Sequence, residues 1–78
     1  MEEIDKIIGM LEKNAYKKVD SFPGIGEVSL RLGPNMNCPI LECHVSDQEE
    51  LKIFLKEMNY KMMIREKSDG IVQFILRK

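Results

Sequence analysis

The stretch Ser46–Arg77, SDQEELKIFLKEMNYKMMIREKSDGIVQFILR, decides how this chain folds. Its first residues, Ser46-Asp47-Gln48-Glu49, form a capping-box pattern: a Ser hydroxyl placed to accept from the backbone N–H three residues on, and a Glu that can reach back. Leu51, Phe54, Leu55 and Met58 then recur at helical spacing. The pattern predicts a helix over Asp47–Met58, with Asn59 ending it. Two alternating runs follow, Tyr60–Glu66 and Ile71–Arg77, separated by Lys67-Ser68-Asp69-Gly70. Asp-Gly between alternating runs is a strong hairpin signal, because both central residues of the favoured turn need positive φ.

The N-terminal half repeats this plan. Ile4, Ile7, Ile8 and Leu11 lie on one face of a helix expected over Glu2–Asn14. Its first turn holds Glu2, Glu3 and Asp5 and its last turn Lys13, as the helix dipole favours. Glu27–Leu32 alternates, with Val28, Leu30 and Leu32 on one side and Ser29 and Arg31 on the other. Pro23-Gly24 predicts a turn joining Tyr16–Phe22 to Glu27–Leu32 as a second hairpin. Ile40–Val45 reads as a further strand, and Gly33–Asn37 as a loop. Shifting the chain by 44 residues aligns residues 4–33 with 48–77 without a gap. It matches Leu11 with Leu55, Tyr16 with Tyr60, Lys17 with Lys61, Gly26 with Gly70, Val28 with Val72 and Leu32 with Leu76. The expectation is an internal α-β-β duplication.

The element order α-β-β-β-α-β-β in 78 residues makes one α+β domain, residues 1–78. Two helices, each with one apolar stripe, should cover one face of a five-stranded, mainly antiparallel sheet. Leu51, Leu55, Val28, Leu30, Val72, Phe74 and Leu76 are the expected core, joined by Tyr60, Met62 and Ile64.

The composition narrows the function. Twelve Lys and Arg against 13 Asp and Glu leave a net charge of −1, which argues against strong nonspecific nucleic-acid affinity. No apolar run approaches the roughly 18 residues of a membrane span. The acidic start, Met1-Glu2-Glu3-Ile4-Asp5, is unlike a signal peptide, and two cysteines without an export signal suit a reducing cytosol. The expected location is cytoplasmic, with no membrane partner.

Chemistry-bearing residues are few. Cys38, Cys43 and His44 fall short of the four ligands of a zinc site, and adjacent strand residues such as Cys43 and His44 point to opposite faces. No metal or other cofactor is expected. Gly24-Ile25-Gly26 joins strands rather than opening a helix, so it is no phosphate loop. His44 has Glu42 two residues away on its own face, but no nucleophile within reach, so no catalytic residue is assigned and the chain is not expected to be an enzyme.

What remains is the sheet face that the helices leave uncovered. Its expected residues include Ile40, Met63, Ile71 and Ile75 as an apolar centre, with Arg31, Arg65 and His44 at the rim. A contiguous apolar patch marks an interaction surface, and small chains gain stability by oligomerising. The sequence therefore reads as a non-enzymatic binding module using this face, for a second copy as a homodimer, another protein, or a small apolar or anionic ligand. The alternative is an RNA-binding module using basic strand residues such as Lys17, Lys18, Lys61, Lys67 and Arg77, although it lacks exposed aromatics on the strands for base stacking.

Overall fold

A computed structural model describes residues 2–34, 38–67 and 69–78. Loop residues 35–37 and Ser68 of the second turn lie outside the described residues. Seven elements follow the expected order: α1 (Glu2–Lys13), β1 (Lys17–Lys18), β2 (Glu27–Leu32), β3 (Pro39–His44), α2 (Gln48–Glu57), β4 (Lys61–Glu66) and β5 (Ile71–Arg77). The sheet order is β1-β2-β3-β5-β4. All pairs are antiparallel except β1 with β2.

Alternation along the strands builds the core. Val28, Cys43 and Val72 lie side by side across β2, β3 and β5, and Leu30, Leu41 and Phe74 form the next row. Ile7 and Leu11 of α1 and Leu51 and Leu55 of α2 cover these rows, and all of these residues are buried. Both helices thus pack on one face. Ile64, expected in that core, and Leu32, expected on the apolar side of β2, are each 38% exposed. Ile64 lies on β4, which has a neighbour on one side only, so the packing stops short of it.

The two helix exits correspond closely across the 44-residue offset. The Tyr16 N–H donates to the Leu11 carbonyl and the Tyr60 N–H to that of Leu55. The preceding residues, Ala15 and Asn59, take φ values of 65° and 67°, the left-handed conformation that ends a helix. At the first exit this residue is Ala15, one later than Asn14, whose side chain instead donates back to the Met10 carbonyl. Each tyrosine hydroxyl then reaches the first turn of the opposite helix: Tyr16 donates to Glu50 at 2.6 Å and Tyr60 donates to Glu3. The helices therefore run antiparallel. Burial pushes both phenols above their usual pKa, and the hydrogen-bonded carboxylates add to the shift.

Beyond these exits the two halves differ. The β4–β5 hairpin forms with Asp69 and Gly70 both at positive φ, as the Asp-Gly signal requires. The first hairpin does not form. β1 is only Lys17–Lys18 and pairs parallel to β2, Lys17 opposite Glu27. Two side-chain bonds, one local and one distant in sequence, accompany this arrangement. The Asp47 carboxylate accepts from the Gly26 N–H at 2.8 Å, and Glu27 accepts from the Gly24 N–H at 2.8 Å. After β1 the chain returns over residues 19–26 to the starting end of β2, where these bonds hold Gly24 and Gly26. Gly26 and Gly70 still occupy equivalent places, each at positive φ just before a strand. The capping box is the other departure. Val45–Asp47 forms a 3-10 turn, and Asp47 stands at the helix N-cap with no side-chain cap bond because its carboxylate is given to Gly26.

Ala15 is the one helix exit where a Cβ sits in the left-handed region without a polar side chain to favour it. Ala15→Gly relieves a cost of about 1–2 kcal/mol against an entropic loss of about 0.5–1 kcal/mol. Urea unfolding should therefore show a gain of about 0.5–1 kcal/mol. A loss would contradict the left-handed exit.

Candidate functional site

The face opposite the helices carries the expected residues in three of its cross-strand rows. Arg31, Ile40, Ile75 and Met63 form one row across β2, β3, β5 and β4. Ser29, Glu42, Gln73 and Arg65 form the next. His44 and Ile71 form the third. The residues expected as one apolar centre are thus split by a polar row. Ile40 and Ile71 are already buried within the chain, at 7% and 4% exposure. Ile75 is half-buried, and Met63 stands out at 59%. Arg65 is exposed. His44 is half-buried, and its Nδ1 accepts from the Ser46 N–H at 3.1 Å, which fixes the turn leading into α2.

Glu42 organises the middle row. It occupies the central strand, which is buried along nearly its whole length, and is itself only 8% exposed. A carboxylate in that place needs partners, since an unpaired buried charge is strongly destabilising. Its Oε2 accepts from Gln73 Nε2 at 2.8 Å, from Lys67 Nζ at 2.9 Å and, more weakly, from Arg31 at 3.5 Å. Burial disfavours the charged form. Hydrogen bonds from Lys67 and Gln73, with the positive charges of Arg31 and Lys67, outweigh it and hold the carboxyl below its usual 4.5.

The segment after β1 completes the site. Instead of continuing as a strand, Asp20, Ser21 and Phe22 run beside the open face, and with Ser29, Arg31, Glu42 and Lys67 they line a groove of about 350 Å³. Phe22 is 74% exposed at its rim. The side chains of Arg31 and Lys67 are 48% and 45% exposed, so both cations face the groove's solvent while touching Glu42. The lining carries two acids and two bases.

Among the residues expected on the uncovered face as its apolar centre and rim, Arg31 is the one that lines this groove. Asp20, Phe22 and Glu42 were missed as site residues, and Lys67 was read only as one of the basic residues of the RNA alternative. One signal was available for Glu42: it is the single charge inside the apolar run Pro39–Cys43, and a charge in the middle of a buried strand implies a dedicated partner. Asp20 and Phe22 gave no signal, because their position follows from the parallel β1.

The cysteines hold no shared site. Cys43 is fully buried and its thiol is pushed up to about 12 by burial and the nearby Asp47 carboxylate. Cys38 is half-buried at the opposite end of β3, beside a second cavity of about 340 Å³ that Tyr60 and Leu76 also line. No group of three or more His, Cys, Asp or Glu placed to hold a metal ion occurs among the described residues. No helix among them is long and apolar enough to cross a membrane.

Compared with known proteins, the chain matches no family model, no curated protein and no solved structure.

The Glu42 cluster sets a pH dependence with a definite sign. The folded carboxyl has a lowered pKa, so the unfolded chain binds a proton more readily. The resulting stability is fully present above about 4.5 and is lost as pH falls through the lower folded value. Glu42→Gln should flatten the acid limb of stability against pH, measured by urea unfolding, while leaving the fold intact. An unchanged acid limb would contradict the ion cluster.

Proposed function

We propose that this chain is a non-enzymatic binding module whose working site is the open-face groove, and that it takes a small zwitterionic ligand with an apolar part. The observation that carries this reading is Glu42: a buried carboxylate on a face that no helix covers, with its two cationic partners left half-exposed toward a groove. A cluster that served only to neutralise the charge would be expected to close over it.

The lining supports the ligand class. Arg31 and Lys67 offer donors to an anionic group. Glu42 and Asp20 offer acceptors to a cationic one. The exposed Phe22 ring offers apolar contact. A purely anionic ligand would meet the two carboxylates, and a purely cationic one the two bases. RNA is favoured less than on sequence grounds, because a run of phosphates would meet the carboxylates of Asp20 and Glu42 in the same lining. A homodimer across this face would have Met63 and part of Ile75 as its exposed apolar anchors, since Ile40 and Ile71 are buried within one chain.

L-phenylalanine is the probe, with phenylacetate and phenethylamine as its anionic and cationic halves. Titration followed by backbone amide shifts should move signals at Phe22, Ser29, Arg31 and Lys67. A Kd on the order of a millimolar is expected, from about 0.3 kcal/mol per non-hydrogen atom. Both halves should bind more weakly, and Arg31→Gln should weaken L-phenylalanine about tenfold, the size of one charge-assisted hydrogen bond. Equal binding of phenylacetate would contradict the zwitterion. Shifts confined to other residues, or a mass that doubles through the same face without ligand, would contradict the groove.

A further inference from the structure

We propose that the outer edge of β4 takes up an extended acidic segment of another protein as a sixth strand, a site separate from the groove on β2 and β3. Among the described residues β4 is the last strand of the sheet and pairs with β5 alone. Its six residues hold an uninterrupted register, Lys61 opposite Arg77 through Glu66 opposite Val72, with no bulge or proline along it. The other edge, β1, is two residues long and offers little to pair with. An open strand edge presents a row of free backbone donors and acceptors, and an added strand satisfies them.

The side chains of β4 define what can pair there. On the open face Lys61 and Arg65 flank Met63, all exposed, and among the described residues neither cation makes an ion pair. On the helix face Met62 is half-buried, and Ile64 is 38% exposed beyond the reach of the core. Directly opposite residues of a paired strand share a face and interact. The complementary strand therefore has an acidic residue opposite Lys61, apolar residues opposite Met62, Met63 and Ile64, and an acidic residue opposite Arg65.

Charge excludes a second copy as the occupant. Antiparallel self-pairing centred on Met63 sets Lys61 opposite Arg65, and pairing centred on Ile64 sets Lys61 opposite Lys67. Either register places like cations face to face at both ends, an arrangement that blocks edge-to-edge association of identical chains. The same cations attract a strand with carboxylates at those two positions. The edge is thus closed to itself and open to a partner of opposite charge.

The test uses the full chain and the capped peptide Thr-Glu-Val-Ile-Val-Glu-Thr, with a control carrying Lys at both Glu positions. Amide shifts on addition of the acidic peptide should concentrate at residues 61–66, and β4 amides on the outer edge should gain hydrogen-exchange protection. The control should bind about tenfold more weakly or worse, as expected when two cross-strand charge pairs turn from attractive to repulsive. The double variant Lys61→Glu with Arg65→Glu, both at exposed positions, should reverse the preference between the peptides. Equal binding of both peptides, shifts away from β4, no shift at millimolar peptide, or protection of β4 through dimerisation without peptide would each overturn the proposal.

Discussion

The central strand β3 must be buried on both faces, and most of the structure follows from that constraint. Pro39 through Cys43 lie between β2 and β5, with both helices above them. On the helix side this places Leu41 and Cys43 in the two core rows. On the other side it places Glu42 where a carboxylate cannot stand alone. Gln73 from β5, Lys67 from beyond β4 and Arg31 from β2 converge on one oxygen of that carboxylate. A buried ion cluster of this kind adds little net stability, because desolvation offsets most of its attraction. Its effect is on specificity of arrangement: it fixes three segments around one atom and keeps two cations at the surface of the groove.

The helix layer is held by a reciprocal device. Each helix ends in a left-handed residue followed by a tyrosine, and each tyrosine bonds the opening turn of the other helix. Tyr16 also packs edge-on against Phe54, ring centroids 6.5 Å apart, while the Lys78 ammonium lies 4.9 Å over the Tyr60 ring. The phenols bury their rings at the sheet ends and keep their hydroxyls satisfied, as amphipathic aromatics do. This arrangement sets the antiparallel helix pair that covers β3, so the same constraint is met from the other side.

Local periodicity made much of the fold legible. The two helices, the alternation of Glu27–Leu32 and the Asp69-Gly70 turn depend on neighbours in sequence, and each is found as expected, with ends shifted by a residue or so. The departures meet at one contact. Asp47 lies within the local capping pattern but bonds Gly26, far away in sequence, and the segment before Gly26 forms a short parallel β1 rather than a hairpin strand. The groove inherits this: Asp20 and Phe22 line it only because β1 is short and the chain leaves the sheet early. The open face was legible as a face, since alternation fixes which residues point there. Its internal order was not, because the cross-strand registers decide that Ser29, Glu42, Gln73 and Arg65 divide Ile40 and Ile75 from Ile71. The 44-residue correspondence extends through each helix exit, while the following strand pairs run parallel in one half and antiparallel in the other, so the duplication stays a reading of the sequence.

Glu42 has cationic partners that also line the groove, and the proposed ligand would share them. The titration of the Glu42 carboxyl carbon by NMR, with and without L-phenylalanine, tests this directly. In the free protein the midpoint should fall below 4.5. With the groove occupied, the ligand carboxylate draws on Arg31 and Lys67, so the Glu42 midpoint should move measurably. A midpoint at or above 4.5 in the free protein, or one unmoved by saturating ligand, would contradict the account.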